Sequence, residues 1–204
     1  MGTLTAISGG IGCGKSVVAR IVSVLGYPVY DCDSRARALM DSDSAIKARI
    51  AREVCADAIT ADGSIDRKAL AAAVFADENK LVKLNDIVHG AVKQDLLRWR
   101  DAVGDSDAFV ETAILYESGL DRMVDRVGLV TAPEDLRIRR VMRRNGLDAA
   151  EVRARIEAQA RTKVPEPHRN VITIVNDGVT PLLPQILRAG YTYIIFIVPN
   201  ALRD

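Results

Sequence analysis

Gly9-Gly10-Ile11-Gly12-Cys13-Gly14-Lys15-Ser16 completes a G-x-x-x-x-G-K-[ST] pattern near the start of the sequence. These residue types at this spacing suit a triphosphate, whose dense negative charge is gripped by backbone N–H groups packed at short range. Glycines let the backbone wrap closely enough for those donors to point inward. Gly10, Ile11, Gly12, Cys13, Gly14, Lys15, Ser16 and Val17 are therefore the candidate nucleotide contacts. Lys15 reaches the β- and γ-phosphates, the Ser16 hydroxyl joins the Mg²⁺ shell, and the helix that follows aims its positive end at the anion. The flanks agree with the motif. Leu4-Thr5-Ala6-Ile7-Ser8 reads as a short buried strand, and Val17, Val18, Ile21, Val22, Val24 and Leu25 recur at helical spacing until Gly26. Strand, loop and helix in that order open an α/β fold with a parallel sheet.

The 204 residues suit one α/β domain with an insertion or a small subdomain. With 28 Lys and Arg against 27 Asp and Glu, the formal net charge is +1. Such balance argues against a general nucleic-acid or membrane-surface partner, although basic residues cluster at 137–144. Cys13, Cys32 and Cys55 are odd in number and lack paired metal-ligand spacing, so a disulfide framework or zinc site is not expected. A reducing cytoplasm fits this usage, and the sequence passes into strand and loop without a signal-peptide pattern. The apolar run Tyr191–Val198 is too short to span a bilayer and is expected to pack as a terminal strand or an oligomer contact.

Tyr27-Pro28-Val29-Tyr30 reads as the second strand and delivers the chain to Asp31-Cys32-Asp33 at its carboxyl end, where open α/β sheets bind ligands. From Ser34 to about Gly104 the pattern is helical and alanine-rich. Leu81, Leu84, Val88, Val92, Leu96 and Trp99 mark one apolar face of a long helix. A stretch of about 70 residues between two strands far exceeds an ordinary connection, so it reads as a helical insertion with its own task. Strand character returns at Ala108–Glu111 and Val127–Val130. Pro133 opens a helix carrying Arg137, Arg139, Arg140, Arg143 and Arg144, which Asn145-Gly146 ends. A polar helix follows over roughly 148–161. Val171–Val175 is a continuous apolar run and is expected as a buried strand. Pro181 to Leu187 forms a last helix.

Phosphate loops serve GTPases, motor-type ATPases and small-molecule kinases, so residues outside the loop decide. A guanine reader carries N-K-x-D, but Asn79-Lys80 is followed by Val82 where the Asp belongs. A motor-type metal strand ends in Asp, which Phe109-Val110-Glu111 matches only loosely. A small-molecule kinase needs a carboxylate at the acceptor hydroxyl, an acceptor pocket and arginines over the phosphates. Asp33 is the candidate carboxylate, its alternative being an N-cap for the next helix. The 34–104 insertion is the candidate pocket. Arg140 and Arg144 lie one helical turn apart, on a face that would close over the transferred group; the alternative is a solvated basic face.

The ordered set of motifs resembles the dephospho-coenzyme A kinase family. It comprises Ser8 to Ser16, Asp31-Cys32-Asp33, Asp62-Gly63-Ser64-Ile65-Asp66-Arg67 with Leu70 and Phe75, Val88-His89, and Leu115-Tyr116-Glu117-Ser118-Gly119. It continues through Arg140-Val141-Met142-Arg143-Arg144, Arg155-Ile156 with Gln159, and Val175-Asn176-Asp177-Gly178. The resemblance implies a P-loop kinase-type parallel sheet flanked by helices: a core at about 1–33, 105–135 and 170–190, an acceptor-binding insertion at about 34–104, and a helical lid at about 136–165. It implies ATP and dephospho-coenzyme A as substrates, with Mg²⁺ accompanying the nucleotide. Asp33 looks like the general base, with Lys15 and Arg140 as its catalytic companions. Arg144 joins the ATP contacts, Ser16 is the metal ligand, and Arg67 and His89 fall on the acceptor side. The chain departs from the family pattern at Val17, at His89-Gly90, and around Pro165, Pro167, His168 and Arg169.

Overall fold

The computed structural model describes residues 2–161 and 167–190. The expected strand at 191–198 and the part of the lid's return path at 162–166, including Pro165, lie outside the described residues. Two compact units emerge: the described parts of Met1–Val29 with Asp105–Asp204, and Tyr30–Gly104.

In the first unit the strands are β1 (Leu4–Ser8), β3 (Ala108–Glu111), β4 (Arg126–Thr131) and β5 (Val171–Val175), with Val29 beginning β2 (Val29–Asp31) at the boundary. The sheet order is β2-β3-β1-β4-β5. The β1–β3, β1–β4 and β4–β5 pairs are all parallel. All five residues of β1 are buried, as expected of a central strand covered on both faces. The loop leaving β1 therefore opens at the carboxyl edge between β3 and β4, the ligand end of such sheets.

Three sequence expectations shift. The second strand begins at Val29 rather than Tyr27, because Pro28 has no N–H to give a ladder. The Pro28 carbonyl still accepts from the Phe109 N–H at 2.9 Å. Tyr27 packs edge-on against Phe109, with ring centres 5.7 Å apart. Val171–Val175 is a strand but not a buried one: it is the edge, and of its side chains only Ile174 is buried. A continuous apolar run cannot reveal how many neighbours a strand has.

The helices α1 (Lys15–Val24) and α8 (Leu182–Gly190) cover the sheet through a core of Ile7, Val18, Val22, Phe109, Val130, Ile174 and Ile186. Burial of each such apolar side chain contributes about 1.5–3 kcal/mol. A hairpin of α6 (Glu134–Asn145) and α7 (Ala149–Arg161) has its own core of Ile138, Val141, Val152 and Ile156, against which Ile11 packs.

The second unit holds α2 (Cys32–Ser42), α3 (Ser44–Glu53), α4 (Arg67–Ala76) and α5 (Glu78–Val103). Each begins at an aspartate whose carboxylate accepts one or two backbone N–H groups of the first turn: Asp31, Asp43, Asp66 and Asp77. One such cap is typically worth about 1 kcal/mol. The expected apolar face of α5 is also shifted. Ile87, Val92, Asp95 and Leu96 are its buried residues, whereas Leu81 is exposed near its start. Ile87 completes a core with Ile46, Ile50, Val54 and Leu70, a cluster that Leu81 does not join. Among the described residues no helix is long and apolar enough to cross a membrane.

Candidate active site

The loop of residues 9–14 joins β1 to α1, and Gly9, Gly12 and Gly14 combine a positive φ with neighbours that leave no room for a Cβ. Gly14, with φ +89°, is the N-cap of α1, and a Cβ there would collide with the Asn176 side-chain amide. Gly12, with φ +78°, would place a Cβ 2.7 Å from the Arg137 carbonyl oxygen. Unlike α2–α5, α1 starts with no side-chain cap, and its first turn carries no acid. Its first N–H groups and the positive end of its dipole are thus left to an anion. Lys15 stands in that turn with its ammonium 2.9 Å from the Gly9 carbonyl, and Ser16 is exposed beside it. Val17 follows, half of its surface accessible.

The carbonyl side of the loop is held by residues far away in the chain. Arg137 Nε donates to the Ile11 carbonyl at 2.9 Å. Asn176 Nδ2 donates to the Cys13 carbonyl at 2.8 Å. Arg140 Nη1 reaches the Gly12 carbonyl at 3.4 Å and the Asn176 carbonyl at 3.1 Å, while its Nη2 donates to Asn176 Oδ1 at 3.1 Å. A planar trans peptide points its N–H opposite to its C=O. Holding the carbonyls of residues 11–13 outward therefore turns the neighbouring amides toward the other face of the loop, where phosphate oxygens would sit.

Arg140 and Arg144 do not converge. Arg140 lies against the loop, whereas Arg144 is exposed and donates to Asn145 Oδ1 at 2.7 Å. Arg137, which the sequence left on a basic helix face, belongs with Arg140; their spacing of three was the available signal. Asn176 and Gln159 carried no assigned role in the sequence. Gln159 Oε1 accepts from the Ile11 N–H at 2.8 Å and borders a groove of about 390 Å³ with Ile11, Ile114, Glu117, Arg155 and Ala158.

In the Tyr30–Gly104 unit the acids at the end of β2 divide their work. Asp31 caps α2, accepting from the N–H groups of Asp33 and Ser34 at 3.0 and 3.2 Å and from the Ser34 hydroxyl at 2.6 Å. Asp33 occupies the first turn of α2, exposed, its carboxylate without a partner among the described residues. The same turn is tied to α5. Arg35 donates through Nε and Nη2 to the two oxygens of buried Asp95, each at 2.8 Å, and the Tyr30 hydroxyl donates to Asp95 at 2.7 Å. Burial pushes the Tyr30 phenol well above its ordinary range, and the hydrogen bond to Asp95 adds to this. For Asp95 burial pulls upward, but the hydrogen bonds from Tyr30 and Arg35 outweigh it and hold the carboxyl below its usual value.

The acceptor-side candidates lie in this unit as well. Arg67 pairs with Asp41, both exposed, at 2.7 Å. His89 is half-buried midway along α5. The other members of the Asp62–Arg67 segment have structural work. Asp62 organises a turn with Thr60 and Ser64 around Gly63, and Asp66 caps α4. At the far end of the chain Asp177 does the same for Val179 and Thr180.

The family model described as dephospho-CoA kinase matches residues 3–181. A dephospho-CoA kinase of Porphyromonas gingivalis is 38% identical over 182 residues, covering 89% of this chain and 90% of the relative. That of Anaeromyxobacter dehalogenans is 42% identical over 159 residues, covering 75% and 74% respectively. Among solved structures, a Thermus thermophilus protein superposes with a TM-score of 0.71 at 34% identity, covering 92% of this chain and 94% of its own. A dephospho-CoA kinase of Campylobacter jejuni shares the fold, with a TM-score of 0.64 at 21% identity over 92% and 95% of the two chains.

Proposed function

This chain belongs to the dephospho-CoA kinase family, and on that basis we propose how its residues divide the work of phosphoryl transfer. The protein phosphorylates the ribose 3′-hydroxyl of dephospho-CoA with ATP, giving CoA and ADP, the last step of CoA biosynthesis. The observation that carries the division is the pairing of an uncapped α1 with a phosphate loop whose carbonyls are held outward by Arg137, Arg140 and Asn176.

The loop amides of Gly12, Gly14, Lys15 and Ser16 and the Lys15 ammonium take the ATP phosphates, while the Ile11 N–H is held by Gln159. Arg140 backs the loop with a positive charge, and Arg144 sits on the same helix for the nucleotide. Asp33 orients the acceptor hydroxyl and takes its proton as the oxygen attacks the γ-phosphorus. The bond from that phosphorus to the β–γ bridging oxygen breaks, and ADP leaves. There is little covalent chemistry for the protein to do, so positioning and charge neutralisation supply the rate. Arg67 and His89 bind the coenzyme moiety in the Tyr30–Gly104 unit, and the α6–α7 hairpin shields the transfer from water.

The donor set fits Mg²⁺. The ion commonly takes one or two protein oxygens plus substrate phosphates, and the exposed Ser16 hydroxyl beside Lys15 supplies one such oxygen. Among the described residues no group of three His, Cys, Asp or Glu side chains gathers to hold an ion alone. When bound, Mg²⁺ neutralises charge on the β- and γ-phosphates. Work in the cytoplasm suits a protein that consumes ATP and a coenzyme precursor.

The test offers purified protein Mg-ATP with dephospho-CoA, adenosine and shikimate, following ADP release. Release with dephospho-CoA alone is expected. In Asp33→Asn, nucleotide affinity stays within about threefold while turnover falls by roughly 10²-fold or more. Near-normal turnover in that variant would remove Asp33 from the base role.

A further inference from the structure

Ile11 is held in three ways by the α6–α7 hairpin. Its side chain packs on the hairpin's core of Ile138, Val141, Val152 and Ile156. Its carbonyl accepts from Arg137 of α6 at 2.9 Å, and its N–H donates to Gln159 of α7 at 2.8 Å. The same two side chains press on the preceding residue. A Cβ on Gly10 would come within 2.5 Å of an Arg137 nitrogen and 3.3 Å of Gln159 Oε1. The two successive peptide planes that meet at Ile11 are thus each gripped by a different helix.

The consequence follows from loop entropy. A loop of glycines has many conformations, and only a narrow set presents its amides to phosphate. Arg140 and Asn176 settle residues 12 and 13. The remaining freedom lies at residues 10 and 11, where the chain leaves β1, and Gln159 and Arg137 remove it. Gln159 stands 148 positions from its partner, so no local propensity accounts for the contact. A binding site preorganised in this way loses less entropy when the ligand arrives.

We propose that Gln159 is a positioning residue for phosphoryl transfer: from α7 it fixes the Ile11 amide and couples the setting of the α6–α7 hairpin to the conformation of the phosphate loop. Arg137 is the second jaw of the same clamp. The proposal rests on the reading of the loop as the ATP site. The hairpin therefore acts on ATP by shaping the loop that receives it, in addition to any cover it provides.

The full-length protein and its Gln159→Ala and Gln159→Glu variants test this through amide exchange at Ile11, followed by NMR, and through steady-state kinetics in both substrates. Alanine is a good helix former, so α7 persists in the first variant. Expected for Gln159→Ala is faster Ile11 exchange and a KM for ATP raised about 10-fold, the equivalent of one ordinary hydrogen bond, with the KM for dephospho-CoA unchanged. Gln159→Glu keeps an acceptor for the Ile11 N–H, and Arg155, one turn earlier on α7, offsets its charge; slow exchange returns with most of the ATP affinity. Unchanged exchange and unchanged ATP kinetics in Gln159→Ala would overturn the proposal. So would equal losses for both substrates, which mark a general loss of structure. An inactive wild-type protein would instead overturn the reading of the ATP site.

Discussion

Replacing Asp95 by alanine is expected to destabilise the Tyr30–Gly104 unit by about 2–3 kcal/mol. The magnitude follows from what its carboxylate holds. The Tyr30 side chain is 1% exposed, so its hydroxyl cannot recruit water once the acceptor at 2.7 Å is gone. An orphaned buried donor costs about 1–3 kcal/mol. Arg35 loses two bonds at 2.8 Å, but its side chain is 47% exposed and rehydrates, adding only about 0.5 kcal/mol. Trp99 is the single tryptophan and stacks edge-on with Tyr30 at 5.3 Å, so its fluorescence reports this network during a urea titration. Adding Tyr30→Phe to Asp95→Ala removes the orphaned hydroxyl and is expected to cost less than Tyr30→Phe alone. The coupling in that cycle is then about 1–2 kcal/mol. The pH dependence has a fixed sign. Asp95 titrates lower in the folded protein than its ordinary 3.8, so its contribution is complete above that value and is lost as acid protonates it below. Asp95→Asn lacks this acid-sensitive component. Because Arg35 lies two residues beyond Asp33 on the same turn, Asp95→Ala also lowers turnover. A coupling below about 0.3 kcal/mol, or identical acid sensitivity in wild type and Asp95→Asn, would refute the reasoning.

Gly14→Ala is expected to weaken ATP binding by about 10-fold or more, because strain at φ +89° adds to displacement of Asn176. Gly26→Ala provides the comparison: φ is +93°, nothing stands within 4 Å, and only the melting temperature falls while calorimetric ATP affinity is kept. Arg140→Lys keeps the charge but cannot span the Asn176 carbonyl and side chain together, so the KM for ATP rises about 10-fold. Wild-type kinetics in Arg140→Lys would leave charge alone as its contribution.

What could be read from the sequence was what local chemistry dictates. The phosphate loop is legible because one ligand demands four particular residues at fixed spacing within eight, and the strand before it and helix after it are set by short-range periodicity. The edge position of β5 was not legible, since Val171–Val175 reads the same with one neighbour or two. Arg137, Gln159 and Asn176 stand far from the loop in sequence, and only the sheet order and the α6–α7 hairpin bring them to it. Helical spacing joins Arg140 to Arg137 but also to Arg143 and Arg144, so it does not say which of five arginines on one helix will face inward.

The aspartates pose the harder problem, because folding and catalysis compete for the same residue type. An Asp before a helix is as good a cap as it is a base, and four in the Tyr30–Gly104 unit cap helices. Asp62 and Asp66, conspicuous in the sequence beside Arg67, are accounted for by a turn and a cap. Asp31 and Asp33 are separated by one residue, and composition cannot choose between them. Capping geometry can. Asp31 spends its carboxylate on two backbone amides and the Ser34 hydroxyl, all of which compete with an incoming proton donor. Asp33, one position into the helix, is the acid the fold does not use. Exchanging the two roles would uncap α2, so Asp31→Asn, which keeps a capping oxygen, should spare turnover where Asp33→Asn does not.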